Sequence, residues 1–413
     1  MMDFFIDPVL RAPMWGCILM CMASSLMGVL IFLRKRSLLS ETLSHAAYPG
    51  AVIGVAFFAL LFPAHEEWSF LAVLGGAFLS SLLGLKALHW LEQKGKVRSD
   101  AALCFVLAVF FGVGIVASSA MQAQLPVWHK QVNMLLFGQA ATMSDMHIWI
   151  YGSLALLVAF FLFLTFRPLQ AFLFDRSFAL SAKMPVLFLE RILFWLLLLS
   201  LIVGIRSVGV VLMSGMAIAP AVAARQFSDR LQTIFILAAL FGALSGLIGN
   251  YLSVIASLPT GPMIVLVGTT FALLSLFFAP KRGLLFRIIR ILAFRLRCLE
   301  ENILKGIWKK GKFSETPSLR LSFVLWRLKR GGWIDKHSNL TNDGRQKAAS
   351  IVRLHRLWEL YLAESLGFQA EKVHRTAEEM EHILTPEMEE KLTRLLADPK
   401  QDPHHQPIPE RRL

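Results

Sequence analysis

Glu41 and His45 stand four residues apart in the run from Ser37 to Gly50, just inside a stretch that is otherwise apolar. Residues i and i+4 share one face of a helix, so a carboxylate and an imidazole are offered together. Ionisable groups at membrane depth are costly and face a bundle interior or a polar pathway. A carboxylate with an imidazole is also a ligand set for divalent metal ions. The plainer alternative is that His45 hydrogen-bonds a neighbouring helix and that Glu41 is a surface charge near Arg36.

A second constellation lies near the other end of the chain. His355 and Glu359 are again i and i+4, and further on His374, Glu378 and His382 fall at i, i+4 and i+8, with Glu381 beside the last. Two helices that each present such a face can pinch a cation between them. A solvated charged helix is the alternative, kept open by Glu379, Glu387, Glu389 and Glu390. The cysteines form no framework. Cys17 and Cys21, with Met20 and Met22, are a soft-metal cluster or, preferably, small packing residues of a membrane helix. Asp100, at the start of an apolar run, is taken as a helix N-cap rather than a ligand.

The elements that must carry these groups are of two kinds. Of the 413 residues, 56% are apolar, and they are unevenly spread. Residues 1–280 hold 16 basic and 11 acidic side chains among long apolar runs; the rest holds 26 basic and 17 acidic, patterned as a soluble helical domain. That shift places a boundary in Lys281–Arg297. Apolar spans of about 20 residues, enough for a hydrocarbon core of roughly 30 Å, fall near 14–33, 38–62, 70–91, 101–121, 147–166, 185–204, 207–224, 231–251 and 262–280. These make nine spans, or eight if the gap at Ile205-Arg206-Ser207 only breaks one helix. Lys and Arg mark cytoplasmic loops. Arg34-Lys35-Arg36, Lys94/Lys96/Arg98, Arg167/Arg176, Arg225/Arg230 and Lys281/Arg282 then all lie inside, with the amino terminus outside and the carboxyl end cytoplasmic. No cleavable signal peptide is expected, because the first span lacks a basic leader and a small-residue cleavage site.

The expected fold is therefore all-α: a polytopic membrane bundle over 1–283, a basic juxtamembrane segment with a truncated winged-helix-like region over 284–340, and a small helical domain over 341–413. In the latter part, helices are expected over Glu301–Lys310, Leu319–Arg330, Asp343–Leu366, Val373–Leu384 and Pro386–Leu396. Trp333–Leu340 is expected to form a small wing, and the Pro-rich tail an irregular segment. No GxxxxGK[ST] phosphate loop occurs, so any ATP hydrolysis is expected on another chain, and neither an enzymatic activity nor an organic cofactor is indicated.

The run FLRKRSLLSETLSHAAYPG (Phe32–Gly50) resembles the second-helix signature of the ABC-3 permeases. LLFGQA (Leu135–Ala140), VGVVLMSGMAIAPAVAARQFSDRL (Val208–Leu231) and LPTGPMIVLVGTTFALLSLFFAPKRG (Leu258–Gly283) agree with that family in order. The resemblance implies the membrane subunit of an ATP-binding-cassette importer of manganese, zinc or iron in a bacterial inner membrane. It would pair with a second permease copy or paralogue, a cytoplasmic ATPase and an extracytoplasmic metal-binding protein. It assigns the metal pathway to His45 and to Glu41, where the family usually has Asp, and ATPase coupling to the segment of Pro220, Arg225 and Arg230, with a helix break at the proline.

LTNDGRQKAASIVRLHRLWELYLAESLG (Leu340–Gly367), VHRTAEEMEHILTPEMEEKL (Val373–Leu392) and DPHHQPIP (Asp402–Pro409) resemble the metal-binding and dimerisation domain of the iron- and manganese-dependent repressors. By that resemblance His355, Glu359 and His374 belong to one regulatory metal site and Glu378, Glu381 and His382 to another. Glu378 is similar to the manganese-sensing branch. Asn302 and Lys305 stand where that branch has acidic ligands, so each site would lack a first-helix donor. The fused domain is expected to sense cytoplasmic metal and regulate uptake. The alternative is a membrane-tethered or released transcriptional repressor, but the shortened DNA-binding region argues against a nucleic-acid partner.

Overall fold

The computed structural model describes residues 3–61, 69–138, 140–280, 282–311, 319–366, 382 and 386–410. The chain divides into two compact units, Met1–Phe286 and Arg287–Leu413.

Among its described residues the first unit consists of helices joined by turns, with no strand. After the short α1 (Asp3–Ile6) come α2 (Arg11–Leu33), α3 (Ser37–Leu61), α4 (Ser69–Gln93) and α5 (Ser99–Gln124). The shorter α6 (Pro126–Phe137) precedes α7 (Asp145–Leu164), α8 (Phe166–Phe174), α9 (Arg176–Ser181) and α10 (Val186–Val208). Next are α11 (Met213–Phe227), α12 (Leu231–Ala256) and α13 (Thr260–Phe278). Eight helices among the described residues are long and apolar enough to cross a membrane: α2, α3, α4, α5, α7, α10, α12 and α13. Their outward faces carry exposed Leu, Phe, Val and Trp, as expected where lipid rather than water is the solvent.

Without a hydrophobic drive between helices in lipid, close packing of small residues holds such a bundle together. α2 is the hub, packed against α7, α11 and α12. At the α2–α12 crossing, a Cβ on Gly246 would lie 2.6 Å from the Cys17 carbonyl oxygen, and one on Gly242 the same distance from that of Cys21. Both cysteines are fully buried in this crossing, so packing explains them without a soft metal. α3 and α4 meet through Gly50 and Gly76, each of which would drive a Cβ to 2.0 Å from the other's carbonyl oxygen.

The seventh expected span is different in the structure. α10 runs on through Ile205–Ser207 to Val208, the chain turns at Gly209 with φ +96°, and α11 begins only at Met213. At about 1.5 Å per residue, the 15 residues of α11 reach roughly 22 Å, short of a full crossing. Non-helical backbone at membrane depth is tolerated only where protein satisfies it. Here Val210 N–H donates to the Leu135 carbonyl at the end of α6, at 2.9 Å, and Val208 and Val210 are buried. Nor does α11 break at Pro220; the helix passes through it to Phe227. Asp100 is in the first turn of α5 rather than at its N-cap, which is Arg98. There its carboxylate complements the helix dipole.

The second unit is reached within α14 (Leu284–Lys310), followed by α15 (Leu319–Arg330), α16 (Asn342–Glu364) and α17 (Pro386–Leu395). Its core is Ile303, Leu304 and Ile307 against Val324, Leu328, Ile334 and Ala348. The expected wing is reduced to a single antiparallel bridge, Ile334 to Leu340. Thr341 then caps α16 by accepting from the Gly344 N–H at 3.1 Å. The expected helix Val373–Leu384 lies outside the described residues except for His382.

The Pro-rich tail is more ordered than its composition suggests. Two buried arginines of α16 hold it: Arg353 donates to the Pro409 carbonyl at 2.8 Å, and Arg356 pairs with Asp402 at 3.4 Å and bonds Gln406 and the Pro407 carbonyl. Removing one partner of a buried ion pair strands the other, at a cost of about 3–5 kcal/mol. Arg356→Ala is therefore expected to free residues 399–410, read as new proteolytic cleavage in that segment, while Arg345→Ala, on the exposed face of the same helix, leaves it protected.

Candidate metal-handling sites

His45 sits in the middle of the α3 surface that packs on α4 and α5. Its ring is 7% exposed and meets the Phe111 ring of α5 edge-on, with centroids 4.6 Å apart. Its Nδ1 is buried with no hydrogen-bond partner. The alternative of a histidine satisfied by a neighbouring helix therefore finds no support at that nitrogen. A buried, unpaired ring nitrogen is costly unless something absent from the structure, such as a cation, is its partner.

Hydroxyls that tie α3 to its neighbours surround this position. Ser80 donates to the Ala46 carbonyl at 2.6 Å, Ser81 to that of Leu43 at 3.5 Å, and Thr42 to that of Leu103 at 3.3 Å. They fix the height and rotation of α3, and with it the direction of His45. Glu41 lies one turn earlier, only partly buried, towards the basic loop Arg34–Arg36. Among the described residues no group of three or more His, Cys, Asp or Glu is assembled into a metal-binding cluster.

The proposed coupling residues fall around the α11–α12 turn. Pro220 is buried inside α11. Arg225 is half-buried and pairs with Asp229 at 2.5 Å while donating to the Ser228 carbonyl at 2.9 Å. Asp229 also receives Arg282, from beyond α13. The hydrogen bond from Arg225, reinforced by the charge of Arg282, holds the Asp229 carboxyl below the usual carboxylate range. Arg230 is exposed and lines a hollow of about 530 Å³ with Leu33, Phe166, Gln170 and Phe174. Glu190, which the sequence did not single out, gathers Arg34 at 2.9 Å and Arg176 at 3.3 Å.

In the second unit, His355 and Glu359 are both 2% exposed, with His355 Nε2 3.1 Å from the Glu359 carboxylate. Lys305 of α14 brings its Nζ to 3.3 Å from His355 Nδ1. His382 Nδ1 lies 2.6 Å from the carboxylate of Glu301, also on α14. Glu301 was not among the expected ligands; it lies one residue before Asn302, so the register of α14 supplies an acid where none was anticipated. His374, Glu378 and Glu381 lie outside the described residues.

The chain thus joins a multi-helix unit, long and apolar enough to cross a membrane and holding a histidine whose Nδ1 is buried without a partner, to a small helical domain. The description "ABC 3 transport family" matches residues 6–279, and the chain belongs to that family. Residues 341–410 match "Iron dependent repressor, metal binding and dimerisation domain", so a repressor-type domain is fused to the permease. The chain is 35% identical to the "Probable metal transport system membrane protein" of Chlamydia trachomatis serovar D, over 98% of this chain and 97% of that protein. It is 30% identical to the "Manganese transport system membrane protein MntC" of Bacillus subtilis strain 168, over 85% of this chain and 83% of that one. Among solved structures it is similar to "PsaBC from Streptococcus pneumoniae in complex with Fab", with a TM-score of 0.59, 25% identity, and coverage of 68% of this chain and 98% of that chain.

Proposed function

We propose that this chain is the membrane subunit of an importer that moves divalent transition metal ions, manganese foremost and zinc or iron within reach of the same donors, into a bacterial cytoplasm. The observation that carries the reading is His45, a buried imidazole with an unpaired nitrogen inside a membrane bundle of the ABC 3 transport family. Manganese is favoured by the similarity to a manganese transport membrane protein over most of both chains.

His45 and Glu41 offer two ligands on one face, fewer than a transition metal takes. A second permease copy or paralogue, facing the first across the pathway, completes the set. ATP is hydrolysed by a separate cytoplasmic ATPase that docks on the Pro220–Arg230 segment. The half-buried Arg225 and the exposed Arg230 beside the Phe174 hollow suit that contact. An extracytoplasmic binding protein delivers the ion. The loops between the long helices, counted with the short return of α11, keep the basic segments on one side, which supports a cytoplasmic position for the fused unit. Leu284–Arg297 supports this: Arg287, Arg290, Arg295 and Arg297 alternate with exposed Ile288, Ile289, Ile291 and Leu292, a pattern suited to an anionic membrane surface. The fused unit answers to cytoplasmic metal on the side of Glu301 and His382.

The test is uptake of Mn²⁺, Zn²⁺ and Fe²⁺ in cells lacking their own importers, supplied with this chain and its operon partners. Concentrative uptake of one metal, lost when the ATPase is omitted, is expected. Uptake that persists without the ATPase would instead describe a channel or secondary transporter.

A further inference from the structure

We propose that Lys305 takes the place of a metal ion at the His355–Glu359 pair, so that this half of the repressor-like unit is closed by an internal cation and folds without metal. The argument begins with hydrogen-bond roles. A lysine ammonium has donors and no acceptor. Lys305 Nζ, 3.3 Å from His355 Nδ1, must therefore donate to that nitrogen. In a neutral imidazole the other nitrogen then carries the proton, and His355 Nε2–H donates to the Glu359 carboxylate at 3.1 Å. The relay runs from Lys305 through His355 to Glu359 and engages both ring nitrogens. Coordination of a metal needs a free lone pair on one of them.

Charge points the same way. Lys305 and Glu359 carry opposite charges on either side of His355, and the three side chains are 6%, 2% and 2% exposed. A divalent ion added beside a buried ammonium would meet its repulsion in a poorly solvated place. A pinching metal would join two helices, and Lys305 already does so, linking α14 to α16. One turn earlier on α14, Glu301 presents a carboxylate rather than a cation to His382. The two positions on α14 therefore divide the unit into a side closed by lysine and a side open to metal. The inference needs the repressor-like fold of the unit but no part of the transport reading, because it is tested by counting ions rather than by uptake.

The full chain, purified in detergent and stripped with EDTA, is equilibrated with Mn²⁺, and bound manganese per chain is counted after gel filtration. The wild type and His355→Gln are expected to bind the same number of ions. Lys305→Glu, which exchanges the cation for a donor, is expected to bind one more, and the gain to vanish in the Lys305→Glu/His355→Gln double variant. Loss of one ion from the wild type on His355→Gln would overturn the proposal, as would a folded Lys305→Glu chain that gains none. Hydrogen exchange on the wild type needs no substitution. Amide protection across Asn342–Glu364 is expected to be present already in EDTA, and protection that appears only with Mn²⁺ would overturn the proposal as well.

Discussion

His45→Ala is expected to lower metal uptake by roughly tenfold or more at unchanged membrane level. Substitutions that merely disturb a metal ligand's supporting bonds already cost about 10–100-fold, and on the proposed reading this one removes a ligand. Structurally the change is mild: alanine favours a helix, and the ring it deletes carries an Nδ1 that has no partner, so no hydrogen bond is broken at that nitrogen. His45→Gln keeps most of the volume but not the imidazole, and is expected to be nearly as inactive. Glu41→Gln is expected to act more weakly, since that carboxylate is only partly buried and lies nearer the basic loop. Uptake assays alongside immunoblots of the membrane fraction read all three. Full uptake by His45→Ala would remove the pathway from this face of α3.

Gly209→Val is expected to prevent the permease unit from assembling at all. The residue has φ +96°, a conformation that side-chain-bearing residues avoid at about 1–3 kcal/mol. A Cβ there would also lie 2.3 Å from the Leu136 carbonyl oxygen and 2.5 Å from the Phe137 carbonyl carbon, backbone atoms that cannot step aside. Gly138 and Gly261 meet the same turn, with Cβ positions 2.5 Å and 2.4 Å from the Val208 carbonyl carbon and oxygen. The ends of α6 and α10 and the start of α13 thus join backbone to backbone, and α11 starts from that junction. Gly112→Ala, in α5 with open space around it, is the control and is expected to be tolerated. Monodisperse elution in detergent and the melting temperature distinguish the two. A well-folded Gly209→Val protein would mean that the junction is not what positions α11.

Three segments singled out in the sequence, Leu135–Ala140, Val208–Leu231 and Leu258–Gly283, converge at that junction, yet nothing in their composition says so. Hydropathy cannot locate the short helix either. Residues 207–224 are apolar enough to pass for a span, because hydropathy sums side chains while the break at Gly209–Leu212 is a matter of backbone pairing with Leu135. Pro220 misleads for a related reason. Proline weakens a helix locally, but helix neighbours in a bundle can compensate for the bond it removes.

By itself the sequence determined the all-α character, the long apolar helices, the change of composition towards the second unit, and the pairing of acid with imidazole at helical spacing. These follow from local periodicity and from the cost of charge in hydrocarbon, which need no knowledge of neighbours. Tertiary structure alone decided which nitrogen of His45 goes unpaired, that Cys17 and Cys21 are crossing-point residues, and how α14 is turned. Lys305 is legible in the sequence as a base where an acid was expected; that its ammonium reaches His355 while Glu301 reaches His382 is not. A helix face is chosen by the rotation that buries Ile303, Leu304 and Ile307. That rotation is settled by packing against other elements, so the partners of the polar groups beside them are settled only when the fold forms.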